Sequence, residues 1–155
     1  MTKLNKGDLA PDFTAIKQDG ETVSLTGFKG KKLILYFYPK DNTPGCTSEA
    51  CNLRDNYDFW LSKGYAVVGV SPDSIASHQK FIAKYDLPFP LLSDPEKKII
   101  KDYGAWGLKK LYGREYEGLI RSTFIIDEEG KIEAIFGKVK TKEHTEQIVN
   151  KLNLE

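Results

Sequence analysis

Two cysteines placed where a helix is predicted to begin are the residues of this chain best suited to chemistry. Cys46 and Cys51 are its only cysteines, and Cys46 follows the apolar stretch 33–38 and the pair Thr43-Pro44. Threonine is a favourable N-cap and proline a favourable first helical residue, so the sequence predicts a helix that begins at Pro44. A helix N-terminus favours the thiolate form of a cysteine, which is the nucleophilic form. The pattern therefore indicates a thiol redox enzyme.

The spacing of the two cysteines limits how they can act together. At about 100° per residue, Cys46 falls on the apolar stripe of the predicted helix, and Cys51 lies about 140° away on the polar side. In a regular helix their Cα atoms would be roughly 9 Å apart, whereas a disulfide needs less than about 7 Å. A redox-active pair would therefore alternate between a wound and an unwound helix. Free cysteines also pack as small apolar residues, so a purely structural pair is the alternative interpretation.

The composition excludes some classes of function. The chain has 155 residues, with 23 Lys and Arg against 22 Asp and Glu, which gives a formal net charge of +1. This balance argues against nucleic acid as the main partner. No stretch reaches about 18 apolar residues, so no membrane span is expected. Residues 1–8 contain no apolar signal region, and a cytoplasmic location is therefore expected, where cysteine pairs tend to be catalytic rather than structural.

Alternating strand and helix patterns predict an α/β fold in one domain, residues 1–155. The strand patterns lie at 33–38, 66–70, 123–126 and 132–136, and the helical patterns lie at 44–62, 74–85, 96–103 and 142–152. Segments 13–16 and 22–25 are expected to form an N-terminal hairpin around Asp19-Gly20. Strands that alternate with helices indicate a sheet covered by helices on both faces.

Three other features carry weaker expectations. Segment 104–118, which contains Trp106 and several glycines and lysines, is expected to form a loop or a short helix near the mouth of the site. His78 and His144 are expected to be solvated helix residues without a ligand role. The sequence predicts neither a cofactor nor a bound metal.

The residues around Cys46 resemble the active-site motif of the peroxiredoxins. Pro39, Thr43 and Cys46 have the order Pro-x-x-x-Thr-x-x-Cys, and the run 38–51 resembles the bacterioferritin-comigratory, or peroxiredoxin Q, branch. Further similarity to the family lies in segments 7–13, 69–73, 91–94 and 121–127. The resemblance implies a thioredoxin-like fold, with a central mixed sheet flanked by helices and an N-terminal β-hairpin.

The resemblance also implies a role for each residue of the motif. Cys46 would be the peroxidatic thiolate, which reduces hydrogen peroxide or an organic hydroperoxide and becomes a sulfenic acid. Thr43 would hydrogen-bond to the thiolate and the peroxide, and Pro39 would shield the site from water. Arg121 would stabilise the thiolate and the charge on the leaving oxygen. Glu49 would orient Arg121 through a charge-assisted pair.

The same resemblance implies how the enzyme returns to its reduced form. Cys51 would be the resolving thiol, which condenses with the sulfenic acid of Cys46 to form an intramolecular disulfide. Thioredoxin or a similar dithiol protein would then reduce that disulfide. Because both cysteines belong to one chain, the enzyme is expected to work as a monomer, with any homodimer weak.

Two other functions remain as alternatives. A thioredoxin-like disulfide exchanger usually has two residues between its cysteines, whereas four separate Cys46 from Cys51. A copper(I)-binding assembly factor would combine two thiolates with a histidine. The cysteine spacing does not suit a preformed copper site, and neither histidine belongs to a recognisable ligand motif.

Overall fold

The computed structural model describes residues 4–154. A seven-stranded mixed sheet lies at the centre of the fold. In chain order, its strands and those of a separate hairpin are β1 (Thr14–Lys17), β2 (Thr22–Ser24), β3 (Lys32–Phe37), β4 (Tyr65–Ser71), β5 (Leu91–Ser93), β6 (Trp106–Leu111), β7 (Arg114–Leu119), β8 (Ser122–Ile126) and β9 (Ile132–Phe136). The sheet order is β2-β1-β5-β4-β3-β8-β9, while β6 pairs with β7. Strands β3, β4 and β5 are parallel, and the other pairs are antiparallel.

Helices cover both faces of this sheet. They are α1 (Pro44–Asp55), α2 (Tyr57–Ser62), α3 (Ile75–Tyr85), α4 (Lys98–Asp102) and α5 (His144–Leu152), with 3-10 turns at Leu25–Phe28 and Thr141–Glu143. The prediction of an α/β sheet with an N-terminal hairpin is confirmed, because β1 pairs antiparallel with β2 and Ala15 lies opposite Val23.

The central strand β3 separates two apolar cores. Its side chains alternate between the faces of the sheet. The odd-numbered residues of 33–37 pack with α4 and with Phe13, while the even-numbered residues of 34–38 pack with α1, α2, α3 and α5. Every side chain of 33–38 is at most 1% exposed. Because Cys46 belongs to the second core, β3 is the surface on which α1 and its first turn rest.

The helix predicted for 44–62 is interrupted at Asn56, which separates α1 from α2. Asn56 Nδ2 donates to the carbonyl of Asn52 at 2.8 Å, so the side chain competes for the acceptor that a continuing helix would use. The predicted apolar stripe nevertheless faces the core. Four residues of this stripe are buried, namely Cys46, Ala50, Leu53 and Trp60, and the fifth, Tyr57, is partly buried.

The ends of the other predicted helices are shifted. Helix α3 begins after Ser74, whose Oγ accepts a hydrogen bond from Ser77 N at 3.1 Å. Helices α4 and α5 are shorter than the predicted 96–103 and 142–152. Strand β5 was not among the strands predicted from the sequence. No helix among residues 4–154 is long and apolar enough to cross a lipid bilayer.

The expectation of a loop or short helix at 104–118 is wrong. Strands β6 and β7 form an antiparallel hairpin there, with Lys109 opposite Tyr116. The two-residue turn Tyr112-Gly113 has positive φ at both positions (51° and 77°), which is the geometry that joins tightly paired strands. Tyr112 is 95% exposed at the tip.

Candidate active site

The beginning of α1 places Cys46 at the edge of the core. Thr43 has the extended backbone of an N-cap residue (φ −101°, ψ 157°), and Pro44 is the first helical residue. The carbonyl of Thr43 accepts the first helical hydrogen bond, from Thr47 N at 2.8 Å. Cys46 is therefore the third residue of the helix, and its side chain is only 1% exposed. The N–H groups of this first turn have no partner within the helix and can bind a ligand oxygen.

Arg121 connects Cys46 with Glu49. This arginine lies between β7 and β8. Its Nη2 donates to Cys46 Sγ at 3.2 Å, and its Nη1 donates to Glu49 Oε1 at 2.7 Å. Gly45 permits the close approach, because a Cβ at that position would lie 3.2 Å from Arg121 Nη2. One cation therefore contacts two groups that can each become negative.

Glu49 is a fully buried carboxyl group. Its side chain is 0% exposed, whereas that of Arg121 is 22% exposed. Burial raises the pKa of Glu49 to about 7, although the charge of Arg121 opposes this rise. The second carboxyl oxygen, Oε2, is buried and has no hydrogen-bond partner among the described residues. The group can therefore hold or release a proton near neutral pH.

The imidazole of His144 lies on the other side of Glu49. Its Nε2 is 3.6 Å from Glu49 Oε2 and 2.8 Å from Thr123 Oγ1. Burial lowers the pKa of His144 to about 4, so the ring is neutral at neutral pH. The expectation of a solvated His144 is wrong, because its side chain is 0% exposed. Helical spacing could have indicated this, since the buried Ile148 follows four residues later on the same face.

Thr43 and Pro39 flank the first turn of α1. Thr43 Oγ1 donates to the carbonyl of Lys40 at 2.9 Å and makes no cap hydrogen bond. The expected donation from this hydroxyl toward Cys46 is therefore not the conformation observed, because its hydrogen is used in the bond to the carbonyl of Lys40. Pro39 is partly buried and directly follows the buried Tyr38.

A buried hydrogen-bond network anchors the loop between β3 and α1. Asp41 Oδ1 accepts from the Tyr38 hydroxyl at 2.6 Å, and Oδ2 accepts from the Ser77 hydroxyl at 2.8 Å and lies 2.7 Å from His78 Nδ1. His78 Nε2 is 2.9 Å from the carbonyl of Leu92, so this nitrogen carries a hydrogen. The expectation of a solvated His78 is thus also wrong, since its side chain is 0% exposed.

The same network includes three residues of metal-ligand type. One ligand atom each from Asp41, Asp73 and His78 lies within 4.8 Å of the others. Asp73 Oδ2 accepts from Asp41 N at 2.7 Å and from the Ser71 hydroxyl at 2.8 Å. These hydrogen bonds account for the cluster as a loop anchor. Each ring nitrogen of His78 and of His144 lies within hydrogen-bond distance of a protein oxygen. Neither histidine therefore offers a free nitrogen to a copper(I) site shared with the cysteines.

Cys51 lies on the partly exposed side of α1. Both cysteines are free thiols within this one continuous helix. Burial raises the pKa of the Cys51 thiol, and the nearby Arg54 only partly opposes this effect. Cys51 is therefore held as a thiol in the wound helix.

Asn52, next to Cys51, joins α1 to the beginning of α5. Its Oδ1 accepts from Thr145 N at 2.7 Å, and its Nδ2 donates to the carbonyl of Lys142 at 3.0 Å. Thr145 also accepts a hydrogen bond from Trp60 Nε1 at 3.2 Å. We refer to the hydrogen bonds of Asn52 with Thr145 N and with the carbonyl of Lys142 as the Asn52 clamp. Sequence patterns do not reveal this contact, because Lys142 and Thr145 lie 90 and 93 residues after Asn52.

Comparison with known proteins places these residues in a family. Residues 6–135 match the model of the AhpC/TSA family. Peroxiredoxin Bcp of Bacillus subtilis is 47% identical over 146 residues, which cover 94% of this chain and 93% of that protein. Peroxiredoxin Bcp of Escherichia coli K12 is 44% identical over 150 residues, which cover 97% and 96%.

Solved structures agree with this assignment. The structure of a cysteine-to-serine mutant of Xylella fastidiosa PrxQ is 32% identical and superimposes with a TM-score of 0.90 over 99% of this chain and 98% of that one. The bacterioferritin comigratory protein of Xanthomonas campestris, solved to study its alkyl peroxide reduction activity, is 33% identical, with a TM-score of 0.85 over 91% and 90%. The mixed sheet and its helices therefore form the thioredoxin-like fold of these peroxiredoxins. The chain belongs to the AhpC/TSA family and is a peroxiredoxin, an enzyme that reduces peroxides through a cysteine thiol.

Proposed function

We propose that Cys46 is the peroxidatic cysteine and that it attacks hydrogen peroxide and organic hydroperoxides as a thiolate. The observation that carries this proposal is the 3.2 Å hydrogen bond from Arg121 Nη2 to Cys46 Sγ at the N-terminus of α1. A guanidinium and a helix N-terminus both favour negatively charged sulfur. The alkyl peroxide reduction studied in the Xanthomonas relative supports including organic hydroperoxides among the substrates.

The first step oxidises the sulfur and breaks the O–O bond. Cys46 Sγ gives an electron pair to the peroxide oxygen that carries the hydrogen, and the other oxygen leaves with the pair of the O–O bond. The leaving oxygen takes up one proton, so the products are a sulfenic acid and either water or an alcohol. Arg121 stabilises the charge that develops on the leaving oxygen. Glu49 holds Arg121 in place through the 2.7 Å hydrogen bond.

Thr43 and Pro39 control how the peroxide approaches. Because the hydroxyl hydrogen of Thr43 is donated to the carbonyl of Lys40, its lone pairs are available to accept a hydrogen bond from the peroxide. The N–H groups at the start of α1 then hold the peroxide oxygens. Pro39 has no N–H group and presents an apolar ring, which limits the access of water.

In the second step, Cys51 attacks the sulfenic sulfur of Cys46, and the disulfide and water are formed. The wound helix α1 keeps the two Cα atoms roughly 9 Å apart, which exceeds the limit of about 7 Å for a disulfide. The turns from Thr43 to Cys51 must therefore unwind. The Asn52 clamp holds the residue directly after this segment and sets the point at which unwinding ends.

Thioredoxin or a similar dithiol protein then reduces the disulfide. Such dithiols are kept reduced in the cytoplasm, which we propose as the location of the enzyme. Because Cys46 and Cys51 belong to one helix, a single subunit can complete the cycle. The enzyme is accordingly proposed to act as a one-domain monomer, in which any dimer is weak.

Replacing each cysteine separately tests their roles. Cys46→Ser should abolish peroxide reduction, because an alcohol does not ionise near neutral pH. Cys51→Ser should still react with one equivalent of peroxide but should not form the disulfide. Peroxide consumption with thioredoxin and its reductase, together with mass spectrometry of the intact chain, measures both effects. Thioredoxin-linked turnover that survives in Cys46→Ser would overturn the assignment.

Replacing Arg121 tests the electrostatic contribution. Arg121→Ala should lower the second-order rate constant for peroxide by roughly two to three orders of magnitude, because one preorganised stabiliser is lost. Stopped-flow kinetics of the reduced enzyme measures this constant. Arg114→Ala, which removes an exposed arginine of β7, is the matched control and should react at the normal rate. A near-normal rate in a folded Arg121→Ala variant would reduce Arg121 to a structural ion pair.

Hydrogen exchange tests the unwinding of α1. Amides from Thr47 to Cys51 should lose protection when the enzyme is oxidised to the disulfide, because the helical hydrogen bonds that they donate must open. Amides of β3, which lie in the centre of the sheet, should keep theirs. Equal protection of the helix in both states would contradict the two-conformation cycle.

Replacing Asn52 tests the clamp. Asn52→Ala removes an acceptor for Thr145 N, so the free energy of unfolding should fall by about 1 kcal/mol, as for the loss of a helix cap. The helix should also unwind more readily, so that less Cys46 is converted to sulfinic acid at a given peroxide concentration. Mass spectrometry after repeated turnover measures this fraction, with Asn150→Ala on the exposed side of α5 as control. An increase in sulfinic acid would show that the clamp assists resolution instead.

A further inference from the structure

Glu49 Oε2 and His144 Nε2 face one another in the core beside Arg121. They are 3.6 Å apart, and both side chains are 0% exposed. Oε2 has no hydrogen-bond partner among the described residues. As a carboxylate oxygen, Oε2 would be a buried acceptor without a donor, because 3.6 Å to His144 Nε2 is too long for a hydrogen bond. Such an orphaned charged acceptor is unfavourable, and protonation of Glu49 would remove its charge.

The neighbours of His144 show which ring nitrogen carries its hydrogen. Gln147 Nε2 donates to the carbonyl of Lys138 at 2.7 Å, and Gln147 Oε1 accepts from Lys140 N at 3.0 Å, which fixes the orientation of this amide. His144 Nδ1 lies 3.1 Å from the same Oε1 and must therefore donate to it. In the neutral ring Nε2 is then an acceptor, and Thr123 Oγ1 donates to it at 2.8 Å. This hydrogen bond uses the single lone pair of Nε2, which has no hydrogen to offer to Glu49 Oε2, so a proton that relieves this oxygen is expected on Glu49 itself.

The charges around Glu49 favour the same conclusion. Arg121 is the cation that contacts both Glu49 and Cys46, so a thiolate and a carboxylate would share one positive charge in a buried place. The hydroxyl of Tyr36, on β3, is buried near the same groups and has no hydrogen-bond partner among the described residues. Burial raises the pKa of Glu49 to about 7, against the opposing charge of Arg121. Protonation of Glu49 leaves Arg121 to stabilise the thiolate.

We propose that Glu49 holds a proton on Oε2 while Cys46 is a thiolate, and that it releases this proton when Cys46 is oxidised. The proposal rests on the proposed function, because it takes Cys46 as the group that reacts. Glu49 is a positioning residue in this scheme, since it acts through Arg121. Once the sulfur is neutral, Arg121 pairs with Glu49 alone, which favours the carboxylate.

The proton balance of the first step changes accordingly. A thiolate that reacts with a hydroperoxide gives a sulfenic acid and an alkoxide, and the alkoxide takes up one proton from its surroundings. If Glu49 releases one proton in the same step, the net uptake from bulk solvent is close to zero. Above pH 7 the carboxyl has already lost its proton in the reduced enzyme, so the net uptake should rise toward one as the pH increases through about 7.

Proton uptake can be measured in the Cys51→Ser background, which stops the reaction at the sulfenic acid. Reduced enzyme is mixed with one equivalent of hydrogen peroxide in weak buffer with a pH indicator, and the ultraviolet absorbance of the thiolate is recorded beforehand. With Glu49 unchanged, uptake well below one proton per sulfenic acid is expected near pH 7 although the thiolate is present. Glu49→Gln should take up one proton at every pH at which its thiolate is present.

Controls separate this proposal from the assignment of Cys46. Glu143→Gln, an exposed carboxyl one residue before His144, should behave like its parent. Infrared difference spectra of the unmutated enzyme should show a protonated carboxyl band that disappears on oxidation, which does not depend on the folding of a variant. Two results would overturn the proposal. One is the uptake of a full proton near pH 7 by enzyme that has Glu49 and a thiolate, and the other is the absence of this infrared band. Failure to detect any sulfenic acid would instead contradict the proposed role of Cys46.

Discussion

Arg121 carries one positive charge between Cys46 Sγ at 3.2 Å and Glu49 Oε1 at 2.7 Å. All three groups lie where water has little access, so the interaction of each pair is stronger than at the surface. The arrangement requires that nothing else occupies the space around the guanidinium. Gly45 meets this requirement, because any larger residue would bring its Cβ to 3.2 Å from Arg121 Nη2. Removing Arg121 would leave the buried thiolate without its cation, which is unfavourable.

The register of the sheet explains why Arg121 reaches the start of α1. Strands β3 and β8 are antiparallel, and Phe37 at the end of β3 lies opposite Ser122 at the beginning of β8. Arg121 directly precedes β8, and the loop to α1 directly follows β3, so both leave the sheet at the same place. The network around Asp41 and His78 then holds that loop against α3 and β5. A rigid sheet and a bonded loop thus position a side chain of one segment against the thiol of another.

Helix α1 has to satisfy two opposing requirements. In its wound form, the first-turn N–H groups and Cys46 lie beside Arg121. The proposed disulfide between Cys46 and Cys51 needs the same turns to open. The structure divides these tasks along the helix. The first turn makes few side-chain cap bonds, since the Thr43 hydroxyl is bonded to Lys40. The C-terminal half is held by the buried Leu53 and by the Asn52 clamp, so local opening need not disrupt the core.

Short-range chemistry let the sequence predict the elements and the reactive thiol. Thr43-Pro44 is a helix-start signal, the apolar run 33–38 is a buried strand, and the motif around Cys46 indicates the family, which the comparisons confirm. The hairpin β6–β7 was missed because its turn, Tyr112-Gly113, lacks the usual asparagine or aspartate before glycine.

Tertiary structure decided the environment of the ionisable groups. Whether His78 and His144 face solvent or the core, and whether Glu49 is exposed, depends on how α1, α3 and α5 pack on the sheet. Residues as distant as Asn52 and Thr145 form one contact only after that packing. Helix periodicity shows which face is apolar, but burial of a polar group depends on partners that lie far away in sequence. The sequence by itself therefore determined the family and indicated Cys46 as the proposed nucleophile, while the charge arrangement around Arg121 arose from the fold.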